Sequence, residues 1–277
     1  KAWGIIMDVG IKELQQKLLE MISDIDSFCK ENDIDYVLSG GNVLGAVRHK
    51  GFIPWDDDLD IQMPRKSYDK FLKLFKENNK YIVQKDTEDY PLQFSKLRAK
   101  NSTFIEDIPY KKKYKNIHQG IYIDIFPVDK VSPKKSQKYK QILFSNILIA
   151  QSLFLRGYPK SHRNIKKNII MFLSILLLPF RNYFNNYVKS FNNLDGFENF
   201  CSFYGTTKKI FQNKSNFDKP YTKLQFENLE LPVMKDYVKY LENAYGDYMK
   251  LPSESERDYA VHAKYFSTTE DYSTYLK

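Results

Sequence analysis

The sequence predicts an α+β fold: a small sheet core, flanking helices and a helical insertion. Three observations support this. Strand-like and helix-like hydrophobic periods are interspersed through the first 135 residues, the stretch from about 136 to 194 reads only as helix, and a strand pattern then returns before a closing helix. The expected organisation is a core over 1–135, a basic, apolar helical insertion over 136–200 and a C-terminal return to the core over 201–277. With 277 residues, 42% of them hydrophobic and 28% charged, the chain can bury a substantial core, and general disorder is excluded.

Apolar side chains at Ile11, Leu14, Leu18, Ile22, Ile25 and Phe28 recur every three or four residues and predict an amphipathic helix. "IDYVLSGG" reads as a strand running into a glycine turn, and "NVLGAVR" as a short helix. Leu59 to Met63 is strand-like before Pro64, and Tyr68, Phe71, Leu72 and Phe75 mark another helix. Strands are expected at 81–84, 92–98, 103–106 and in "GIYIDIFPVD", which Pro127 is expected to end. A strand from Lys223 to Leu231 and a helix from Lys235 to Tyr248 close the chain.

The net charge of +9 is unevenly spread: from Lys130 to Leu194 there is no Asp or Glu, but twelve Lys or Arg. Cys29 and Cys201 lie too far apart in sequence to suggest a disulfide framework or zinc site, which fits a reducing compartment. The first residues lack the order of a secretory signal, so a cytoplasmic location is expected.

Chemistry concentrates in "GFIPWDDDLDI", residues 51 to 61. Strand alternation sends Asp58 and Asp60 to one face and Leu59 and Ile61 to the other. In "GIYIDIFPVD" the same rule sets Ile121, Ile123 and Ile125 against Asp124. If the two strands are neighbours, three carboxylates converge. Two unit charges about 4 Å apart repel by roughly 4 kcal/mol at an effective dielectric of about 20, so the group requires protons or a cation. Oxygen-only ligands suit a hard divalent ion, magnesium first and manganese in its place, and two such ions would serve phosphoryl transfer. The competing reading is a solvated acidic turn, with Asp56 and Asp57 in water. Gly40 and Gly41 stand at a strand end before a short helix whose N–H groups could face a phosphate, with Arg48 at its far end as a phosphate partner.

Together these segments resemble a known family. "GGNVLGAVRHKGFIPWDDDLDI" is similar to the signature of the LicD family, and "SKLRAKNSTFIE", "GIYIDIFPVD", "FENLELPV" and "YGDYMKLP" extend the resemblance over about residues 34 to 252, with Arg257 and His262 close to where the family often carries an Arg and a His. The resemblance implies a nucleotidyltransferase-like fold and metal-dependent transfer of a phosphorylated alcohol from a CDP-activated donor to a glycan hydroxyl, with CMP leaving. Phosphocholine is the favoured group; ribitol phosphate, glycerol phosphate, a true nucleotidyl transfer and a non-catalytic binding module are the alternatives. On this pattern Asp58, Asp60 and Asp124 are the catalytic and metal-binding residues, and Gly40 and Gly41 the phosphate-facing element. Asn42 replaces the family's usual Thr and can cap a helix or donate to a phosphate. Lys96 and Arg98, alternating in one strand, are expected to offset phosphate charge; Asp57, His49 and His262 are expected at the substrate. Trp55 either faces the donor or packs the loop, the second being favoured.

"IIMFLSILLLPF", residues 169 to 180, would span about 18 Å as a helix, short of a bilayer's roughly 30 Å hydrocarbon core. With its lysine and arginine neighbours the 136–190 region is expected either to lie in an anionic membrane interface at the inner face of the cytoplasmic membrane, where a lipid-linked glycan acceptor would reside, or to form a buried hairpin with a basic rim. Nucleic acid is not an expected partner, because no groove-reading motif accompanies the charge.

Overall fold

The structure, a computed structural model, describes residues 2–85, 90–106, 117–157, 165–253 and 262–275, with side chains from residue 10 onward. Arg257 lies outside the described residues. Helix α1 (Ala2–Glu31) carries Leu14, Leu18, Met21, Ile22 and Ile25 fully buried along one face, as the three-and-four spacing requires. Strand β1 (Val37–Leu38) is shorter than expected because the chain leaves the sheet at Ser39 and enters α2 (Gly40–Arg48) directly. Gly40 turns the chain there with φ +54°, a left-handed conformation that suits glycine.

Next come β2 (Asp60–Pro64), α3 (Arg65–Leu74), β3 (Tyr81–Gln84), β4 (Ser95–Ala99), β5 (Thr103–Glu106) and β6 (Tyr122–Lys130). The principal sheet runs β1-β2-β6-β4-β3. It is mixed: β2 and β6 are parallel, and the other neighbours are antiparallel. Contrary to expectation, Pro127 does not end β6. The antiparallel neighbour β4 covers Tyr122 to Ile125, and β7 (Asn199–Cys201) takes over at Asp129 and Lys130. The missing N–H thus falls where β6 changes partners on that side. Strand β8 (Phe211–Asn213) extends the sheet beyond β7.

Helices α4 (Lys135–Arg156), α5 (Ile165–Leu176) and α6 (Arg181–Lys189) form the predicted helical stretch, and α4 packs on both of the others. The later strand pattern is a hairpin, β9 (Thr222–Phe226) and β10 (Leu229–Val233), followed by α7 (Tyr237–Tyr245). Strand β11 (Ala263–Ser267), which the hydrophobic pattern did not reveal, pairs with β5. The fold is therefore α+β with a mixed sheet.

Leu59, Ile61, Ile121, Ile123 and Ile125 are fully buried, in one core with the apolar faces of α1 and α3. The opposite sheet face carries the polar residues. No described helix is long and apolar enough to cross a membrane.

Candidate active site

The parallel register sets Asp60 of β2 directly beside Asp124 of β6. Across the sheet, Asp124 faces Lys96 of β4, and Lys96 faces Gln84 of β3. One row of the sheet therefore reads Asp, Asp, Lys, Gln. Asp58 stands in the extended approach to β2, and the Asp124 N–H donates to the Leu59 carbonyl at 3.0 Å, so the ladder reaches back almost to Asp58. Strand alternation thus brings Asp58, Asp60 and Asp124 to one face.

Their electrostatics are strained. Burial, then repulsion from Asp58 and Asp124, pushes Asp60 well above the usual carboxylate range. Burial also raises Asp58 to about 6, with His262 opposing the shift and Asp57 and Asp124 adding to it. Asp56 is raised by burial and by Asp58 and Asp57. Asp124 is raised by burial despite Lys96, whose Nζ lies 2.7 Å from Oδ1. Lys96 and, beside Asp58, His262 oppose these shifts, yet Asp56, Asp58, Asp60 and Asp124 all remain raised, so negative charge is in surplus.

Asp57 differs from its neighbours. It is 1% exposed, and its Oδ2 accepts the backbone N–H groups of His262 and Ala263, each at 2.7 Å, while Oδ1 lies 3.0 Å from His262 Nδ1. That bond raises His262 to about 9 against the effect of burial, so the ring is an imidazolium at neutral pH. The same nitrogen lies 3.6 Å from Asp58. Asp57 thus ties β11 to the acidic loop and holds a positive charge beside Asp58.

Gly41 makes room for Asp56, whereas a side chain on Gly40 would stand at ordinary contact distance from Asp60. A Cβ on Gly41 would come within 2.9 Å of Asp56 Oδ2, and one on Gly40 within 3.5 Å of Asp60 Oδ2. Asn42 does something its sequence position did not announce. Its Oδ1 accepts the Asp60 N–H at 2.6 Å and its Nδ2 donates to the Asp58 carbonyl at 3.3 Å. A buried side-chain amide thereby pairs with the acidic strand as a neighbouring strand would.

The remaining predicted residues are placed as follows. Lys96, 2% exposed, also lies over the Tyr122 ring at 3.2 Å. Arg98 shares that face, as alternation requires, but donates to Gln84 at 2.5 Å and to the Gly120 carbonyl at 2.9 Å. Arg48 donates to His49 Nε2 at 3.0 Å and to the Tyr248 carbonyl at 2.9 Å, tying the end of α2 to the C-terminal segment. His49 is lowered from its ordinary value by burial and by Arg48, and its ring stands edge-on to Trp55, centroids 6.1 Å apart. Trp55 packs against the core, as the favoured reading had it.

Other contributors had weak signals or none. Tyr240 of α7 holds the turn: its Oη accepts the Gly40 N–H at 3.1 Å. Glu227, at the β9–β10 turn within "FENLELPV", accepts the Phe52 N–H at 3.0 Å and holds the loop before the acidic run. A cavity of about 480 Å³ opens over this face. Asp60 and Asp124 lie at one end; Phe94, Phe126 and Tyr204 supply aromatic lining, and Ser152 and Arg156 of α4 form a wall. Nothing in the periodicity of the insertion marked α4 as part of the site.

Among the described residues, no group of three or more His, Cys, Asp or Glu side chains is placed so that it could hold a metal ion. The chemistry of Asp58, Asp60 and Asp124, hard oxygen donors that repel one another, is of the kind that suits a divalent cation. The site thus combines an acidic pair on adjacent parallel strands, a glycine-led helix beside it and a cavity above it, an arrangement compatible with a nucleotidyltransferase-type domain. Consistent with this, the family described as LicD/FKTN/FKRP, nucleotidyltransferase domain, matches residues 33–147.

The lipopolysaccharide cholinephosphotransferase LicD of Haemophilus influenzae is 30% identical over 259 residues, covering 89% of this chain and 94% of that protein. The chain belongs to the LicD family. An uncharacterised protein of Rickettsia typhi is 30% identical over 132 residues, 47% of this chain and 40% of its own. Mannosyltransferase regulator 4 of Saccharomyces cerevisiae is 26% identical over 160 residues, 54% of this chain but 13% of its own.

Proposed function

We propose that the protein transfers a phosphorylated small alcohol, phosphocholine foremost, from a CDP-activated donor to a hydroxyl of a cell-surface glycan precursor. The acceptor oxygen attacks the phosphorus bearing the alcohol, the bridging P–O bond of the diphosphate breaks, and CMP leaves. The observation that carries this reading is the surplus of carboxylates at the end of an aromatic-lined cavity, in a chain similar over most of its length to a cholinephosphotransferase.

Asp58, Asp60 and Asp124 would hold magnesium, or manganese in its place, whose charge polarises the phosphate oxygens and stabilises the leaving group. Lys96 holds Asp124 in place through its 2.7 Å ion pair. Asn42 fixes the backbone on both sides of Leu59, and so the spacing of Asp58 and Asp60. Asp57 orients His262 toward Asp58. Phe94, Phe126 and Tyr204 line the cavity; a ring face turned to the ligand would attract a quaternary ammonium by about 0.5 to 2 kcal/mol, which favours choline over a polyol.

The test is a panel of CDP-choline, CDP-ethanolamine, CDP-ribitol and CDP-glycerol with a glycan acceptor, scored by divalent-dependent CMP release. CDP-choline is expected to be the best donor, and Asp60→Asn to lower its turnover by about a thousandfold or more. Pyrophosphate as the product, or an Asp60→Asn protein of normal rate, would overturn the proposal.

A further inference from the structure

Helix α5 is built the wrong way round for a helix of a water-surrounded domain. Its buried positions are Met171 and the small, polar Ser174, whose carbonyl accepts Gln151 of α4 at 2.9 Å. Its outward stripe is apolar: Ile165 is 80% exposed, Ile169 54%, Phe172 62% and Leu176 61%. These positions follow a four, three, four spacing and therefore form a single face. Phe180 and Tyr183, 54% and 59% exposed, continue the apolar surface into the start of α6. Among the described residues only one face of α5 has a neighbour, which is not what a buried hairpin requires.

Charge identifies what covers that face. Lys166 and Lys167 stand on α5 itself beside the stripe, Lys166 exposed and Lys167 half-buried, and no acidic side chain occurs from Lys130 to Leu194. A second copy of the chain docked symmetrically on this face would oppose its own positive charges. An anionic lipid surface accepts both features, apolar side chains among the acyl chains and lysines among the headgroups. The helix has 12 residues, so it lies in the interface and does not span it.

We infer that the outward face of α5, continued by Phe180 and Tyr183, seats the protein on an anionic bilayer. Helix α4 joins this face to the cavity: it contacts α5 near Gln151, and Ser152 and Arg156, one and five residues further on, line the cavity that Asp60 and Asp124 also line. Membrane seating brings the protein to the surface on which an acceptor glycan carried on a lipid is held. That purpose rests on the transferase reading; the seating itself is measured without turnover.

The experiment is vesicle flotation of the full chain with phosphatidylcholine alone and with phosphatidylcholine containing phosphatidylglycerol, beside an Ile169→Gln, Phe172→Gln, Leu176→Gln variant and a Lys166→Glu, Lys167→Glu variant. The wild type is expected to float with anionic vesicles and much less with neutral ones. The triple variant, changed only at exposed positions and checked for an unaltered melting temperature, is expected to lose on the order of a hundredfold in partitioning. The charge variant is expected to lose its preference for anionic vesicles. Failure of the wild type to float with either vesicle, equal flotation of the triple variant, or a wild-type dimer that the triple variant makes monomeric would each overturn the inference.

Discussion

Two aspartates five residues apart on β6 sit in opposite electrostatic settings. Asp129, fully buried, receives two bonds from the Arg65 guanidinium, at 2.7 and 2.9 Å, and a third from Asn192 at 2.6 Å. Asp124 has Lys96 on one side and Asp60 on the other. The first is a closed pair whose charges cancel within the fold. The second belongs to a cluster carrying more negative charge than its neighbours neutralise. Both are aspartates of the same strand, so residue type does not distinguish a structural carboxylate from a candidate site carboxylate. What distinguishes them is the balance of charge across the neighbouring strands.

The contrast predicts opposite effects of the same substitution. Asp129→Asn leaves the buried Arg65 guanidinium with only the exposed Asp69, 3.8 Å away, and should cost about 3–5 kcal/mol in urea unfolding. Asp60→Asn removes one of several repelling carboxylates and should leave the melting temperature of the metal-free protein unchanged or raise it. The sign follows from linkage. A carboxyl raised above its unfolded value is strained in its ionised form, so its ionisation weakens the fold as pH rises through the folded pKa. If Asp60→Asn destabilises as much as Asp129→Asn, the acidic cluster is structural and the distinction fails.

Asn42 tests the comparison one step from the carboxylates. Asn42→Ala leaves the Asp60 N–H and the Asp58 carbonyl without their side-chain partner, which should cost about 1–3 kcal/mol. Turnover should fall while donor KM changes little, since the carboxylates remain but their spacing loosens. Asn42→Thr, which brings one hydroxyl instead of an amide, should fall between the two. Unchanged unfolding and turnover in Asn42→Ala would remove the bracing role.

How much of this was legible in the sequence follows from what each feature depends on. Asp58, Asp60 and Asp124 were legible because alternation in a strand is local: the buried Leu59, Ile61, Ile123 and Ile125 fix which way the carboxylates point. The pairing of Asp60 with Asp124 was not, because register between strands some sixty residues apart is set by packing. For the same reason Lys96 and Arg98 could be placed on one face, whereas the pairing of Lys96 with Asp124 and of Arg98 with Gln84 required three strands in register. Asn42 read as a helix residue because its contact to β2 spans eighteen positions. The hydropathy of α5 was evident, but an apolar stripe has the same period whether it faces a core or a bilayer.

His118 supplies a third setting, a base kept neutral, and the smallest predicted effect. Burial, with Arg98 adding to it, lowers its pKa to about 4. Its Nδ1 accepts the Gly120 N–H at 3.1 Å, so a proton on that nitrogen would face a donor. Here the unfolded chain binds the proton more readily than the folded one. The contribution of His118 to stability is therefore present above the ordinary histidine value of 6.5 and is lost as pH falls through 6.5 toward 4. His118→Gln should flatten the melting-temperature profile over that window and leave the profile above pH 7 parallel to wild type. Parallel profiles over the whole range would mean that the imidazole is solvated, and that the rim of the sheet near Gly120 does not share the electrostatic constraint that separates Asp124 from Asp129.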